Sequence, residues 1–216
     1  MGATFGPESG YPERALQSDL GGVITTGGGF SNVNPRPSWQ DDAVNSYFSQ
    51  IPMKGSLNAE GRGYPDVSLM GFHYEFVVGG VNYVASEASA TPVFAAMVSL
   101  VNAARLSTGK GPIGFLNPLL YSSYRNFAND ITEGDNSCSS IPFFGGEPNC
   151  CEGLGFQAAR GWDPVTGVGS INFQAFLEFL NPNPANNTCR TITTTATNST
   201  TQIKSRSVSV TETMCV

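Results

Sequence analysis

The feature that most constrains the fold is an apolar segment from Ala88 to Leu106, which is predicted to form one helix. The residues from Val93 to Val98 make the first half of that helix apolar on every side rather than on one face. A helix of this kind is buried, so we expect other elements to surround it. The longest apolar run, at 92–101, is shorter than the roughly 20 residues that cross a bilayer, so no membrane span is predicted.

Shorter elements are predicted on both sides of this helix. A hairpin is predicted at 77–84, because Gly79 and Gly80 can adopt the positive φ angles that a two-residue turn requires. Ser38 and Asp41 have the spacing of a capping box that opens a helix. Strands that alternate with helices, without an internal repeat, favour an α/β layered fold.

Two further helices are predicted in the second half of the chain. Asn117 followed by Pro118 has the pattern of an N-cap and a first helical residue. A last helix is indicated by the i, i+3, i+4, i+7 spacing of apolar side chains, which places one helical face toward the core. These side chains are Phe173, Phe176, Leu177 and Leu180.

Length and charge narrow the class of protein. A chain of 216 residues fits one substantial domain with its own core. Charged residues make up 13% of the sequence, against roughly 25% in an average soluble domain. The net charge is -6 and the basic residues are scattered, which argues against a nucleic-acid partner, because binding to phosphate requires clustered Lys and Arg.

The sequence changes character near its C-terminus. Residues 1–184 have the mixed composition of a globular domain, whereas 185–216 is Thr-rich and is predicted to be a flexible tail. Asn186 and Asn198 in that tail fit the N-glycosylation pattern, which is compatible with export. The first residues show no secretory signal.

The five cysteines do not have the spacing of a zinc site, because two of them are adjacent. If the protein is exported, a disulfide is predicted between Cys138 and either Cys150 or Cys151. The choice between these two partners stays open at the level of sequence. The other cysteines are Cys189 and Cys215.

Five motif regions follow one another between about Gly21 and Leu180. They are Gly-Gly-Gly-Phe-Ser-Asn at 27–32 with Pro-Arg-Pro-Ser at 35–38, Gly-Arg-Gly-Tyr-Pro-Asp-Val-Ser at 61–68, Ser-Ala-Thr-Pro-Val-Phe-Ala at 89–95, Gly-Phe-Leu-Asn-Pro-Leu-Leu-Tyr at 114–121, and Gly-Trp-Asp-Pro-Val-Thr-Gly-Val-Gly at 161–169. In this order they resemble the C-terminal half of the peptidase domain of sedolisins, the serine-carboxyl peptidases that include tripeptidyl peptidases. The resemblance implies a subtilisin-like α/β fold, a parallel-sheet sandwich with helices on both faces, here incomplete.

The catalytic position of the family is changed in this sequence. The resemblance places the nucleophilic serine four residues before Pro92, where this chain has Ala88. Alanine has no hydroxyl group that could attack a carbonyl. Glu87, beside it, would also oppose the negative charge that develops on the substrate oxygen. The Glu and the two Asp residues that the family uses lie upstream of the matched region, so we predict no catalytic residue in this chain.

Other side chains are weaker candidates for catalysis. Ser89 lies one residue further along, but one helical step rotates a side chain by about 100°, so it is interpreted as a helix N-cap. His73, the only histidine, has no acid partner indicated by the sequence. The carboxylates of Asp41, Asp42 and Asp66 are interpreted as helix caps or turn residues.

The family's calcium site, in contrast, has its counterparts here. The resemblance places carboxylate ligands at Asp130 and Asp163 and backbone carbonyl ligands at Ile131, Ala159 and Gly161. These are oxygen ligands of the kind that Ca²⁺ prefers. The alternative is that both Asp residues only cap turns.

The resemblance therefore implies a member of a peptidase family that is inactive as this chain. The implied substrates or partners are peptides or proteins, including an active homologue, and the implied location is secreted or lysosome- or vacuole-like. A noncatalytic, calcium-stabilised protein that binds peptides or a partner is the alternative function.

Overall fold

The computed structural model describes residues 1–7, 10–22, 24–52, 55, 57–85, 89–139, 149–151 and 154–182, and the backbone at 190–196 and 208–214. The chain divides into two units, Met1–Leu180 and Asn181–Val216. The helices and strands of the first unit are α1 (Asp41–Gln50), α2 (Ala90–Ser107), α3 (Asn117–Ser123) and α4 (Phe173–Leu180), with β1 (Gly2–Phe5), β2 (Arg14–Ala15), β3 (Gly29–Pro35), β4 (Gly61–Tyr64), β5 (Ser68–Met70), β6 (Tyr74–Val78), β7 (Val81–Ala85), β8 (Ala128–Asn129), β9 (Cys138–Ser139), β10 (Asn149–Cys150) and β11 (Ser170–Ile171).

A five-stranded sheet organises the described part of the first unit, in the order β2-β1-β5-β11-β8. Its inner pairs, β1 with β5 and β5 with β11, are parallel. Its outer pairs, β1 with β2 and β11 with β8, are antiparallel. The predicted α/β class is confirmed, and the sheet is mixed because short edge strands run against its parallel centre.

The core lies where the helices meet this sheet and the loop that precedes β11. Trp162 is 2% exposed and packs with Val44 and Tyr47 of α1. The same cluster includes Phe176 of α4, which is fully buried. The predicted apolar face of the last helix is thereby confirmed, because Phe176 and Leu180 are buried and its neighbouring apolar side chains pack against the cluster.

The prediction that the long apolar helix is buried on every side is wrong for α2. Val101 is fully buried, and Val93 and Met97 pack against the core, but Leu100 and Leu106 are 57% and 59% exposed. The physical reason is that, among the described helices and strands, α2 packs mainly against β5 and α4. No described element covers its opposite face, so an all-round apolar helix is left with one face in solvent.

By length and composition, α2 is the one helix among the described residues that could cross a membrane, with a mean hydropathy of 1.2 over 18 residues. Core helices of soluble proteins meet the same two criteria. The absence of a membrane span therefore stays a prediction.

Two local predictions have opposite outcomes. The hairpin is confirmed: β6 and β7 pair around Gly79 and Gly80, whose φ angles are 59° and 82°. The capping box at Ser38 is wrong, because Ser38 begins a 3₁₀ turn and α1 starts at Asp41 without a side-chain cap. The carboxylate of Asp41 is instead paired with Arg36, at 2.7 Å.

The second unit contains two strands, β12 (Arg190–Ala196) and β13 (Val208–Met214), among its described residues. Their backbones pair in antiparallel register from Arg190 with Met214 to Ala196 with Val208. The glycosylation patterns at Asn186 and Asn198, together with Cys189 and Cys215, lie outside the described residues.

Candidate functional site

The turn that contains Trp162 and Asp163 is held by a dense set of hydrogen bonds. The indole N–H of Trp162 donates to the carbonyl oxygen of Pro65, at 2.9 Å. The backbones of Asp163 and Gly167 exchange two hydrogen bonds, at 2.9 and 3.1 Å. Gly167 has a φ of 67°, and a Cβ atom there would lie 2.4 Å from the backbone of Asp66, so the position requires glycine. The turn is thereby fixed against the loop that leads into β5.

The Asp163 carboxylate is fully buried at the centre of this turn. Its Oδ1 accepts the backbone N–H groups of Val165 and Thr166, at 2.9 and 2.7 Å. Its Oδ2 accepts the backbone N–H of Ala159, at 3.1 Å, and the hydroxyl of Thr166, at 3.0 Å. Burial raises the pKa of Asp163 to about 7, and these hydrogen bonds act in the opposite direction without cancelling the effect.

The second predicted carboxylate, Asp130, reaches the same loop from the other side. The backbone N–H of Gly161 donates to both carboxylate oxygens of Asp130, each at 3.0 Å. The backbone N–H of Ala159 donates to Asp163, and that of Gly161 donates to Asp130. The loop at 159–161 therefore contacts both carboxylates. Asp130 is exposed, whereas its neighbour Ile131 is 3% exposed. Four of the five residues that the resemblance implied are therefore linked in pairs by hydrogen bonds, and their role as ligands stays a prediction.

The donor set of this loop fits a hard cation in its chemistry. Within the described residues, no hydrogen bond reaches the carbonyl oxygens of Ile131, Ala159 or Gly161, which leaves them free to bind a cation. The described residues contain no group of three or more His, Cys, Asp and Glu side chains that could hold a metal ion. A cation here would depend on two carboxylates and on backbone carbonyls, which suits Ca²⁺ and not a transition metal.

An open groove of about 860 Å³ borders this loop. Asp130 and Gly161 lie on one side of it, and α1 contributes Asp42. Two cationic side chains, Arg125 and Arg160, also line the groove. The exposed carboxylate of Asp130 is thus reachable from solvent.

The segment at the family's nucleophile position, Ser86 to Ala88, lies outside the described residues. Ser89, which is described, occupies the N-cap position of α2 but makes no side-chain capping bond. His73 is exposed, has a φ of 54° and stacks on Phe72 with ring centroids 3.7 Å apart. No described carboxylate hydrogen-bonds to His73, so the described residues contain no Ser-His-Asp arrangement.

A buried polar network that the sequence did not predict joins α3 to the loop before β5. Tyr121 donates its hydroxyl to Asp66, at 2.8 Å, and Arg62 forms an ion pair with the same carboxylate. Gln40, which is fully buried, donates to the hydroxyl of Tyr121, at 2.6 Å. Burial and the Asp66 charge raise the pKa of Tyr121 far above its usual value. Arg62 and Asp66 lie in the 61–68 motif and Tyr121 ends the 114–121 motif, and the network agrees with the interpretation of Asp66 as a structural residue.

The structure also shows which of the two predicted cysteines forms a disulfide with Cys138. Cys138 bonds to Cys150, and the two lie opposite one another in the β9–β10 pair. Cys151 is a free, exposed thiol.

The mixed sheet with its parallel centre and packed helices has the subtilisin-like α/β fold, as the match to a solved sedolisin structure shows. The chain covers 46% of the solved structure of Pseudomonas sedolisin, a serine-carboxyl proteinase complexed with pseudo-iodotyrostatin. That match has a TM-score of 0.57 and 25% identity, and it includes 85% of this chain. No family model matches the sequence.

Sequence comparison with curated relatives indicates the same family as the structural match. Physarolisin of Physarum polycephalum is 41% identical over 169 residues, which is 75% of this chain. Tripeptidyl-peptidase 1 of Macaca fascicularis is 43% identical over 164 residues, and that of Homo sapiens is 42% identical over the same length. The chain belongs to the sedolisin family, and it spans 28% of the length of each of these relatives.

Proposed function

We propose that this chain is a sedolisin-family peptidase homologue that does not itself cleave peptides. The observation that carries the proposal is Ala88, which stands where the family motif around 89–95 requires the nucleophilic serine. Acyl transfer in this family starts with attack by that hydroxyl, and a methyl side chain cannot replace it. The peptide or protein substrates implied by the relatives' names would then be bound, if at all, without being cleaved.

A serine-directed fluorophosphonate tests this proposal. We expect no labelling of the folded chain at acidic or neutral pH, because no serine is activated. An active member of the family, labelled in parallel, is the control. Labelling that is lost in Ser89→Ala and kept in Ser99→Ala would overturn the proposal, since Ser99 is an exposed serine on the same helix.

We also propose that the loop between Asp130 and Asp163 binds calcium. The proposal is supported by two carboxylates that both accept hydrogen bonds from the loop at 159–161 and by three carbonyl oxygens without other partners among the described residues. Asp130, Ile131, Ala159, Gly161 and Asp163 would hold the ion. The ion would balance two negative charges and fix the loop next to Trp162, a structural role and not a catalytic one.

Calcium is expected to raise the melting temperature of the chain, because an ion that binds only the folded state stabilises it. At a concentration 100 times the dissociation constant, the gain is about 2.7 kcal/mol. Asp163→Ala should abolish the shift, but it also removes bonds that hold the turn. Asp130→Asn is the cleaner variant, because Asp130 is exposed and bonds only to Gly161 among the described residues.

The matched control is Asp42→Asn, which removes an exposed carboxylate from the same groove and should leave the calcium shift intact. Differential scanning calorimetry with Ca²⁺, and with Mg²⁺ for comparison, gives the readout. The absence of a calcium shift in the unmutated, folded chain would reject the site.

The compartment we propose is secreted or lysosome- or vacuole-like. The Cys138–Cys150 disulfide supports it, because disulfides persist in oxidising compartments and are rare in the cytosol.

A noncatalytic binding role is the second candidate function. It is favoured by one observation, the exposed apolar face of α2, which is unusual for a helix of this composition. Calorimetric titration with a mixed peptide library tests for peptide binding, and the absence of heat from the folded chain would remove that form of the candidate.

A further inference from the structure

Three cysteines lie together at the β9–β10 pair. Cys138 is bonded to Cys150, which lies directly opposite it in the strand register. Cys151 follows Cys150 in the chain and is exposed, and its backbone N–H donates to the carbonyl oxygen of Ser137, at 2.7 Å. A thiol and a disulfide are therefore adjacent within the same two-stranded segment.

The pairing of β9 with β10 is short, and a shift of β10 by one residue places Cys151 opposite Cys138. The present register joins only two residue pairs, Asn149 with Ser139 and Cys150 with Cys138. Because side chains alternate between the two faces of a strand, the shift also turns the Cys151 side chain to the face that Cys150 now occupies. Isolated two-stranded pairs are marginally stable, so this register is weakly held.

β9 is anchored to other parts of the chain, whereas β10 is not. The carbonyl oxygen of Cys138 accepts hydrogen bonds from the hydroxyl of Ser18, at 3.5 Å, and from that of Thr25. The backbone N–H of Ser137 donates to the carboxylate of Asp135, at 2.9 Å. β10 pairs with no described strand except β9. We therefore expect Cys138 to stay in place while β10 moves.

We propose that Cys138 exchanges its disulfide partner between Cys150 and Cys151. The Cys151 thiolate attacks Sγ of Cys138, the bond from Cys138 to Cys150 breaks, and Cys150 leaves as a thiolate. The proton that Cys151 released is returned to Cys150 through solvent. One disulfide and one thiol are present before and after the step, so it needs no oxidant or reductant. The exchange depends neither on the proposed inactivity nor on calcium.

The two disulfides are expected to have similar stabilities. Cys138 and Cys150 are 12 positions apart, and Cys151 is one position further along the chain. Loop-closure entropy rises only with the logarithm of loop length, so the added residue changes it little. The shift breaks the hydrogen bond between Cys151 and Ser137, and it moves the carbonyl oxygen that accepts from Leu154, at 3.0 Å. The exchange therefore changes how the chain that leads into Leu154 is held.

The experiment follows the position of the free thiol in the full 216-residue chain. The folded protein is incubated at mildly alkaline pH, where thiols ionise, and is quenched at intervals with excess N-ethylmaleimide at mildly acidic pH. Tandem mass spectrometry of the digest places the label on Cys150 or on Cys151. We expect label on both, in a ratio within about tenfold of one, because the two loops have nearly equal length. The rate of exchange should not depend on protein concentration, and the chain incubated in urea is the control that both labels are detected.

Matched variants separate this exchange from other reactions of the cysteines. Cys151→Ser should leave no label on Cys150, and Cys150→Ser should form the bond between Cys138 and Cys151. The double variant Cys189→Ser, Cys215→Ser should keep the label ratio of the unmutated chain, because the exchange involves neither cysteine. If the Cys150→Ser protein does not fold, the label ratio of the unmutated chain decides.

Four results would overturn the proposal. The first is label confined to Cys151 in the folded chain while the urea control shows both labels. The second is a disulfide from Cys151 to Cys189 or Cys215 in the folded chain. The others are a loss of the Cys150 label in the double variant, and a rate that rises with protein concentration, which would indicate exchange between molecules.

Discussion

Asp163→Asn is expected to lower the free energy of unfolding by about 3 kcal/mol, because it disrupts a fully buried set of hydrogen bonds. An asparagine side chain accepts hydrogen bonds only at its amide oxygen, whereas a carboxylate accepts them at both oxygens. If its oxygen keeps the N–H groups of Val165 and Thr166, its NH₂ group faces the N–H of Ala159, and two donors oppose one another. Urea denaturation followed by tryptophan fluorescence, in the absence of calcium, measures the change.

The control for this variant is Asp19→Asn. Asp19 is exposed and, among the described residues, accepts only a 3.5 Å hydrogen bond from Gln17, so its variant should change the free energy of unfolding by less than about 0.5 kcal/mol. An Asp163→Asn protein as stable as the Asp19→Asn protein would show that the buried carboxylate does not hold the turn.

Trp162→Ala is expected to destabilise the chain by about 3–5 kcal/mol, the usual range for removing a buried aromatic side chain. The indole is 2% exposed and contacts the rings of Phe30 and Tyr47, with centroids 5.9 and 6.1 Å apart. Its N–H also bonds to Pro65, so the variant loses both packing and a hydrogen bond. Thermal denaturation by circular dichroism gives the readout.

Two variants show which of these losses matters. Trp162→Phe keeps most of the packing and loses the hydrogen bond to Pro65. Its stability should therefore lie between that of the Trp162→Ala protein and that of the unmutated chain. Trp39→Ala removes the other tryptophan, which is half-buried beside Phe115 and Tyr121. It should destabilise the chain less than Trp162→Ala does. Equal costs for the Trp39→Ala and Trp162→Ala proteins would contradict the placement of Trp162 at the centre of the core.

The parts of the fold that follow from local chemistry could be predicted from the sequence. Phe173 to Leu180 forms a helix because its apolar spacing matches one helical face. Gly79 and Gly80 form the hairpin turn because they tolerate positive φ angles. Each of these patterns is complete within a few residues, so no distant contact is needed to interpret it.

The failures depend on contacts from far along the chain. Ser38 does not cap α1, because Gln40 turns inward to bond with Gly63 and Tyr121, and the turn at 38–40 is shaped by those partners. The composition of α2 shows that it can be buried, but not whether a neighbour is present to bury it.

The site was predicted through resemblance, and the structure links Asp163 to Ala159 and Asp130 to Gly161 by hydrogen bonds. Asp130 and Asp163 are 33 positions apart in sequence, and only the fold shows that both contact the loop at 159–161. Calcium itself stays a prediction, as does the effect of Ala88, because the segment from Ser86 to Ala88 lies outside the described residues.

Whether the chain is a peptidase is decided by a cleavage assay of the purified full chain on a mixed peptide library, read by mass spectrometry at acidic and neutral pH. We predict no products beyond those of the buffer control, and the same result for Ser89→Ala, because Ala88 leaves the chain without a nucleophile. Cleavage by the unmutated chain that disappears in Ser89→Ala would contradict the account and would identify Ser89 as the nucleophile.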